Sequence, residues 1–261
     1  MRDNPVKARL AGGGRAFGAM VFEVFTAGLP QILVNAGADY VLYDMEHTGL
    51  SFESLRTQAA LCRGLPIVPM ARVPRGEYHF IARALDVGVR GVMVPMVGSA
   101  DEARHIAACA HYPPLGRRGA AFGFAHDDFG GGAPADKIAA AHRRTMVIAQ
   151  IETVEGLAEV EAIAAVPGID ALWLGHFDLT NFMGIPGRFD HPDYRAAVAR
   201  IARACAAHGK AAGYLAADAG LAAEYLGHGY RLLAFGIDQL LLQAAFTQGI
   251  AAMRAAAKEQ T

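Results

Sequence analysis

The feature that most restricts this chain is a rhythm. Short apolar runs recur along its 261 residues, each followed by a segment with helical signals and then by a glycine- or proline-bearing turn. The runs are too short for helices and are apolar at successive positions, the pattern of strands covered on both faces in a parallel sheet. They fall at residues 16–23, 39–44, 66–71, 91–95, 146–151, 169–174, 211–215 and 230–235. Helices are expected between them at 26–35, 52–62 (opened by Ser51), 77–85, 100–110, 135–143, 154–166, 192–208 and 219–226, with a last one from about Gln239. Eight strands alternating with helices predict an α/β chain folded as one (β/α)8 TIM barrel over residues 1–261, close to the roughly 250 residues typical of such barrels. A doubly wound open sheet is the alternative; it is disfavoured because no GxGxxG follows the first run. Residues 113–133, with Pro113-Pro114 and the triplet Gly130 to Gly132, break the rhythm, and a loop of that length is expected to be a functional lid or a disordered segment.

Composition narrows the function classes. A net charge of -1 carries no field suited to nucleic acid or an anionic membrane, so a small molecule is the expected partner. Three widely spaced cysteines, Cys62, Cys109 and Cys205, suggest neither a disulfide framework nor a thiolate metal site and favour a reducing, cytoplasmic setting. Nothing resembling a signal peptide follows Met1, and no apolar run reaches the roughly 18 residues of a membrane span.

In a barrel the chemistry lies where the strands' carboxyl ends meet the following loops. Those ends carry Asp44, Glu46 and His47 after the second strand, Arg72 after the third, Gln150 and Glu152 at the fifth and Asp178 after the sixth. Consecutive parallel strands bring their carboxyl ends side by side, so Glu152 and Asp178 are candidates to share one hard cation through oxygen ligands. Each residue also has a plain structural alternative. Glu152 and Asp178 suit helix caps, Asp44 a turn, Arg72 a neighbouring carboxylate and His47 a loop. His79, His111, His126, His142, His191, His208 and His228 lie in helical or loop contexts and read as structural. None of the lysines, Lys7, Lys137, Lys210 and Lys258, falls at a strand's carboxyl end, so a Schiff-base mechanism is not suggested.

Several motifs occur in order along the chain: Asp44-Met-Glu-His47, Ala71-Arg-Val-Pro74, Leu85-Asp-Val-Gly88, Val94-Pro-Met96, Tyr112-Pro-Pro114 with Gly116-Arg-Arg-Gly119, Gln150-Ile-Glu152 and Gly175-x-x-Asp178. Together they resemble the HpcH/HpaI aldolase family, the class II metal-dependent pyruvate aldolases, from about residue 16 to residue 245. The resemblance implies a homo-oligomer of dimers, in some members a hexamer, with the last helix exchanged between subunits. It implies a divalent cation, Mg, Mn or Co, held by Glu152 and Asp178. Gln150 would contact the substrate, and the amides of Phe177 and Asp178 would receive its carboxylate. His47 would be the base, assisted by Asp44 and by Asp86, the latter from a neighbouring subunit, and Arg72 would stabilise the oxyanion. The implied reaction is reversible cleavage of a 4-hydroxy-2-oxo acid to pyruvate, or a related acid such as hydroxypyruvate, plus an aldehyde. One departure stands out: Gly175-His-Phe-Asp178 replaces the family's Gly-Pro-x-Asp, which removes a φ restraint and adds bulk beside the carboxylate-binding turn. Two alternatives remain: an acyl-CoA lyase of the citrate lyase β or malyl-CoA type, disfavoured by the lack of a basic nucleotide-binding patch near the mouth but kept open by Arg117-Arg118, and a non-catalytic barrel that binds a 2-oxo acid.

Overall fold

The computed structural model describes residues 1–258; residues 259–261, included in the expected domain, lie outside them. In chain order the elements are α1 (Pro5–Ala11), β1 (Ala16–Val21), α2 (Leu29–Asn35), β2 (Tyr40–Asp44), α3 (Phe52–Leu61), β3 (Val68–Arg72), α4 (Tyr78–Asp86), β4 (Gly91–Val94) and α5 (Ala100–Ala110). The second half holds α6 (Pro134–Arg144), β5 (Met146–Ile151), α7 (Val154–Ala158), α8 (Val160–Ala165), β6 (Ala171–Leu174), α9 (His176–Phe182), α10 (Pro192–Ala207), β7 (Ala211–Ala216), α11 (Ala219–Gly227), β8 (Leu232–Ile237) and α12 (Asp238–Lys258). The eight strands close into a barrel in sequence order, and the closing pair, β1 with β8, is parallel like the rest. Among the described residues no helix is long and apolar enough to cross a membrane.

The strands are apolar along most of their length, up to the polar residues at some carboxyl ends, because they serve two cores. Tyr40 and Leu42 face inward with Met70, Met93, Met146, Ile148 and Trp173, filling the barrel axis. The alternate residues Val41 and Tyr43 face outward and pack with Leu55, Ile81, Leu85 and Ile106 of the surrounding helices. Closure of the barrel's amino-terminal end falls to α1, an element absent from the expected set, whose Val6 and Leu10 join the inner core. Its signal is local: Asn4 caps Lys7 N–H, Pro5 opens the helix, and the Asn4 amide donates to the backbone oxygens of Arg90 and Arg144.

Three expectations are corrected. The helix expected over 154–166 breaks at Glu159, whose side chain accepts the N–H of Ala100 at 2.8 Å and so ties the break to the start of α5. Asp178, which suits a helix cap by sequence, instead lies in the first turn of the helix after β6, which begins at His176. Residues 113–133 are neither a lid nor unstructured. They strap the barrel's amino-terminal side, held by Arg118 to Asp86 at 2.6 Å, Lys137 to Asp127 at 2.6 Å and Arg2 to Asp128 at 2.9 Å.

Candidate active site

At the carboxyl end of β2 the Asp44 carboxylate is fully buried and takes three donors. Its Oδ1 accepts Arg72 Nε at 2.6 Å and the Glu46 N–H at 3.2 Å, and its Oδ2 accepts the His47 N–H at 3.0 Å. The register explains the pair, because Asp44 lies directly opposite Arg72 across the β2–β3 ladder. Arg72 also reaches Glu46 Oε2 at 3.0 Å as an ion pair, so one fixed cation sits between two carboxylates. His47 projects into solvent with its side chain 57% exposed, and its Nε2 lies 3.6 Å from Glu46 Oε2.

On the other side of the mouth stand β5 and β6. Glu152 follows Ile151, which pairs with Leu174, so Glu152 and Gly175 are neighbours. The approach is close enough that a Cβ on Gly175 would lie 2.3 Å from Glu152 Oε2, so the position needs glycine for space and not for its φ. Glu152 is buried; its Oε1 accepts the Met96 N–H at 2.7 Å and its Oε2 accepts the Gln150 amide. That first bond depends on Met96 holding a left-handed φ of 58° just after β4, a conformation that costs a non-glycine residue energy and is retained where it orients a group. Gln150 Oε1 is buried without a partner among the described residues. Asp178 stands half-buried in the first turn of α9, close enough to Glu152 and to Glu46 to raise the proton affinity of both. In α9 the internal ladder starts with Leu179 N–H to Gly175 O, which leaves the amides of Phe177 and Asp178 unpaired within the helix.

The electrostatics follow from this crowding. Burial pushes the Glu152 carboxyl up to about 7; the Met96 and Gln150 hydrogen bonds oppose the shift, and Glu46 and Asp178 add to it. Glu46 is likewise pushed up to about 7, by burial first, with Arg72 pulling it down and Asp44 and Asp178 pushing it up. Three mutually repelling acids beside an orphaned amide oxygen form an oxygen-rich site suited to a hard divalent cation. Among the described residues no group of three His, Cys, Asp or Glu side chains is placed to hold a metal.

Of the residues expected from sequence, Asp44, Glu46, His47, Arg72, Gln150, Glu152, Phe177 and Asp178 all fall at this mouth. Asp86 does not. It ends α4, on the side that leads into the amino end of β4, where it pairs with Arg118. The basic pair also reads differently from expectation. Arg118 is buried against Asp86, and Arg117 lies 3.0 Å from His105, so they make no phosphate-binding patch at the strand ends. His176 turns away from the mouth to pack on Phe177, Phe189 and Tyr214, and burial pushes its imidazole down to about 4, leaving it neutral. Met96 and Gly175 are the site residues that sequence reasoning missed. Val94-Pro-Met96 and the strand-end glycine were visible, but a left-handed methionine carries no signal of its own.

The family model for HpcH/HpaI aldolase/citrate lyase matches residues 20–245. A hydroxypyruvate/pyruvate aldolase of Cupriavidus necator is 35% identical over 97% of this chain and 93% of its own length. A 2-keto-3-deoxy-L-rhamnonate aldolase of Klebsiella pneumoniae is 31% identical over 95% of the chain and 92% of its own. The crystal structure of an HpcH/HpaI aldolase from Desulfitobacterium hafniense superposes with a TM-score of 0.91 at 29% identity, covering 95% of this chain and 96% of that one. Barrel, strand-end residues and relatives agree: the chain belongs to the HpcH/HpaI aldolase/citrate lyase family and is a carbon–carbon lyase.

Proposed function

We propose that the chain is a metal-dependent class II aldolase that reversibly cleaves a 4-hydroxy-2-oxo acid to pyruvate or hydroxypyruvate and an aldehyde. The single observation that carries this is the pair of Glu152, directly after β5, and Asp178, in the first turn of the helix after β6, near enough that Asp178 raises the proton affinity of Glu152. Glu152 and Asp178 would hold Mg, Mn or Co, which when bound supplies a Lewis acid for the enolate charge. The unpaired amides of Phe177 and Asp178 receive the substrate carboxylate. Gln150 Oε1 accepts from the substrate or from a water beside it. His47 takes the proton of the 4-hydroxyl as the bond between C3 and C4 breaks. The electron pair moves into the enolate, whose oxygen Arg72 stabilises from a geometry already fixed by Asp44. The names of the relatives support pyruvate and hydroxypyruvate as the acid half.

The same reading includes a homo-oligomer. α12 buries none of its residues and exposes Leu241, Phe246, Ile250 and Met253, the surface of a helix that docks on another subunit. Asp86, remote from His47 within one chain, then reaches a neighbour's site.

Chelation tests the proposal. Protein stripped with EDTA is expected to release no pyruvate from a 4-hydroxy-2-oxo acid and to recover when Mn or Mg is restored; turnover that survives complete stripping would show that the charge is stabilised otherwise. Replacing His47 by Ala is expected to lower turnover by about a hundredfold, the low end of general-base effects, because its exposure lets water substitute in part. Steady-state kinetics check it, and unchanged turnover would remove His47 from proton transfer.

A further inference from the structure

Phe22 follows β1 at the barrel mouth and packs against the inner core. β1 ends with Val21 opposite Tyr43, and Asp44 comes next on β2 opposite Arg72, so three neighbouring strand ends gather Phe22, Asp44 and Arg72. Arg72 Cζ lies over the Phe22 ring, 5.7 Å from its centroid. The carboxylates of Asp44 and Glu46 take Nε and Nη1 of Arg72, and among the described residues Nη2 donates to no protein group. Bonds along one edge leave a guanidinium free to rock out of its plane; a ring against it opposes that motion.

The ring is held in turn from across the seam where β8 pairs with β1. Asp238, the first residue of α12, accepts three backbone N–H groups of the segment after β1: Phe22 at 2.9 Å on Oδ1, with Glu23 at 3.0 Å and Val24 at 2.6 Å on Oδ2. Charge-assisted bonds to both oxygens thus fix a segment that belongs to no helix or strand. Gly236 makes the reach possible. Its φ of 68° is left-handed, and a Cβ there would lie 2.5 Å from the Leu241 side chain of α12, so the turn from β8 into the helix needs glycine.

We propose that Phe22 is a positioning residue for Arg72 and that Asp238 holds Phe22 in that role, so that both act on enolate formation through the guanidinium. The inference rests on the aldolase reading above, in which Arg72 stabilises the enolate oxygen. Nη2 is the nitrogen left for that oxygen, and its direction is set by the whole group. A donor that is already aimed before the charge develops needs no reorganisation when the enolate forms. Asp44 and Glu46 supply the edge of that alignment, and the Phe22 ring supplies the face.

Exchange of the pyruvate methyl protons for deuterium, followed by proton NMR on the full-chain protein with Mg present, separates enolate formation from carbon–carbon cleavage and tests this. Phe22→Leu is expected to slow exchange about tenfold, the size of one cation–ring contact sheltered from water, and Phe22→Tyr, which keeps the ring, to restore most of the rate. Asp238→Asn leaves one acceptor oxygen for three donors and is expected to slow exchange by a similar factor. Phe22→Leu combined with Asp238→Asn should be slowed by about tenfold and no more, because both changes remove the same contact. Pyruvate affinity, measured by calorimetry, is expected to stay within about twofold of the parent in every variant, since the contact with the enolate oxygen strengthens only as charge develops. Exchange by Phe22→Leu as fast as the parent's, exchange by Phe22→Tyr as slow as that of Phe22→Leu, or an affinity that falls as far as the rate overturns the Phe22 assignment. Losses that multiply in the double variant overturn the link to Asp238. Each of these results leaves the aldolase standing. A parent protein that neither exchanges pyruvate protons nor cleaves a 4-hydroxy-2-oxo acid overturns the aldolase reading and this inference with it.

Discussion

A Glu152→Gln variant is expected to lose turnover by about a thousandfold or more, roughly 4 kcal/mol of transition-state stabilisation, while its metal-free form becomes more stable at and above neutral pH. The substitution keeps the side chain's shape and its bond from Met96 N–H but removes the charge that would hold the cation. The stability half follows from linkage. The Glu152 carboxyl sits at about 7 when folded against an ordinary value of 4.5, so as pH rises the unfolded chain releases this proton first. Its contribution is complete below about 4.5 and is lost as pH rises through about 7, a swing of about 3 kcal/mol in the metal-free protein. Glu46 adds a loss of the same sign over the same window, so the variant's decline with pH is smaller and not abolished. Added Mg or Mn should therefore raise the melting temperature of the unaltered protein more at about pH 8 than at about pH 5, and should do little for the variant. Melting curves of EDTA-treated protein across that range, beside kcat at saturating Mn, decide the matter. Turnover within tenfold of the parent, or a metal-free parent whose melting temperature climbs with pH, would overturn it.

This coupling shows why part of the site was legible in the sequence. Strand number, order and the residues at the strand ends follow from short apolar runs and from the rule that a barrel works at its carboxyl ends; the position of Glu152 and Asp178 at the mouth was legible that way. What was not legible depends on contacts distant along the chain. Residues 113–133 read as a lid because their glycines and prolines report only local freedom, while the partners that hold them, Asp86 and Arg2, lie far away in sequence. The break at Glu159 is tertiary for the same reason, since the group it satisfies is the amide of Ala100. Asp178 suits a cap by sequence because Gly175 offers no capping side chain and no proline marks the first turn that begins at His176. Asp44 and Arg72 show a limit of another kind. Pairing with a carboxylate was weighed against function for Arg72, yet in the folded chain the pairing is what aims the guanidinium at the mouth.

That pair is where stability and catalysis are hardest to separate, and an Asp44→Ala variant is expected to lose about 3–5 kcal/mol of stability together with its activity. Arg72 is 6% exposed, so removing its fully buried partner leaves a guanidinium with little water to replace the lost bond. The same carboxylate holds the N–H groups of Glu46 and His47, so the loop that carries the proposed base loosens as well. For a chain of this length the loss corresponds to a fall in melting temperature of about 10 °C. Glu46 can retain Arg72 in part through its 3.0 Å ion pair, which would bring the loss toward the lower end of that range. A double-mutant cycle separates the two roles. Arg72→Met alone is expected to abolish turnover at a smaller cost in stability, and Asp44→Ala with Arg72→Met to cost at least about 1 kcal/mol less than the sum of the single changes, because the second removes the unpaired charge created by the first. Chemical denaturation of the four proteins measures the coupling; additive losses would mean that Asp44 and Arg72 stabilise the fold independently, and that Asp44 holds only the loop.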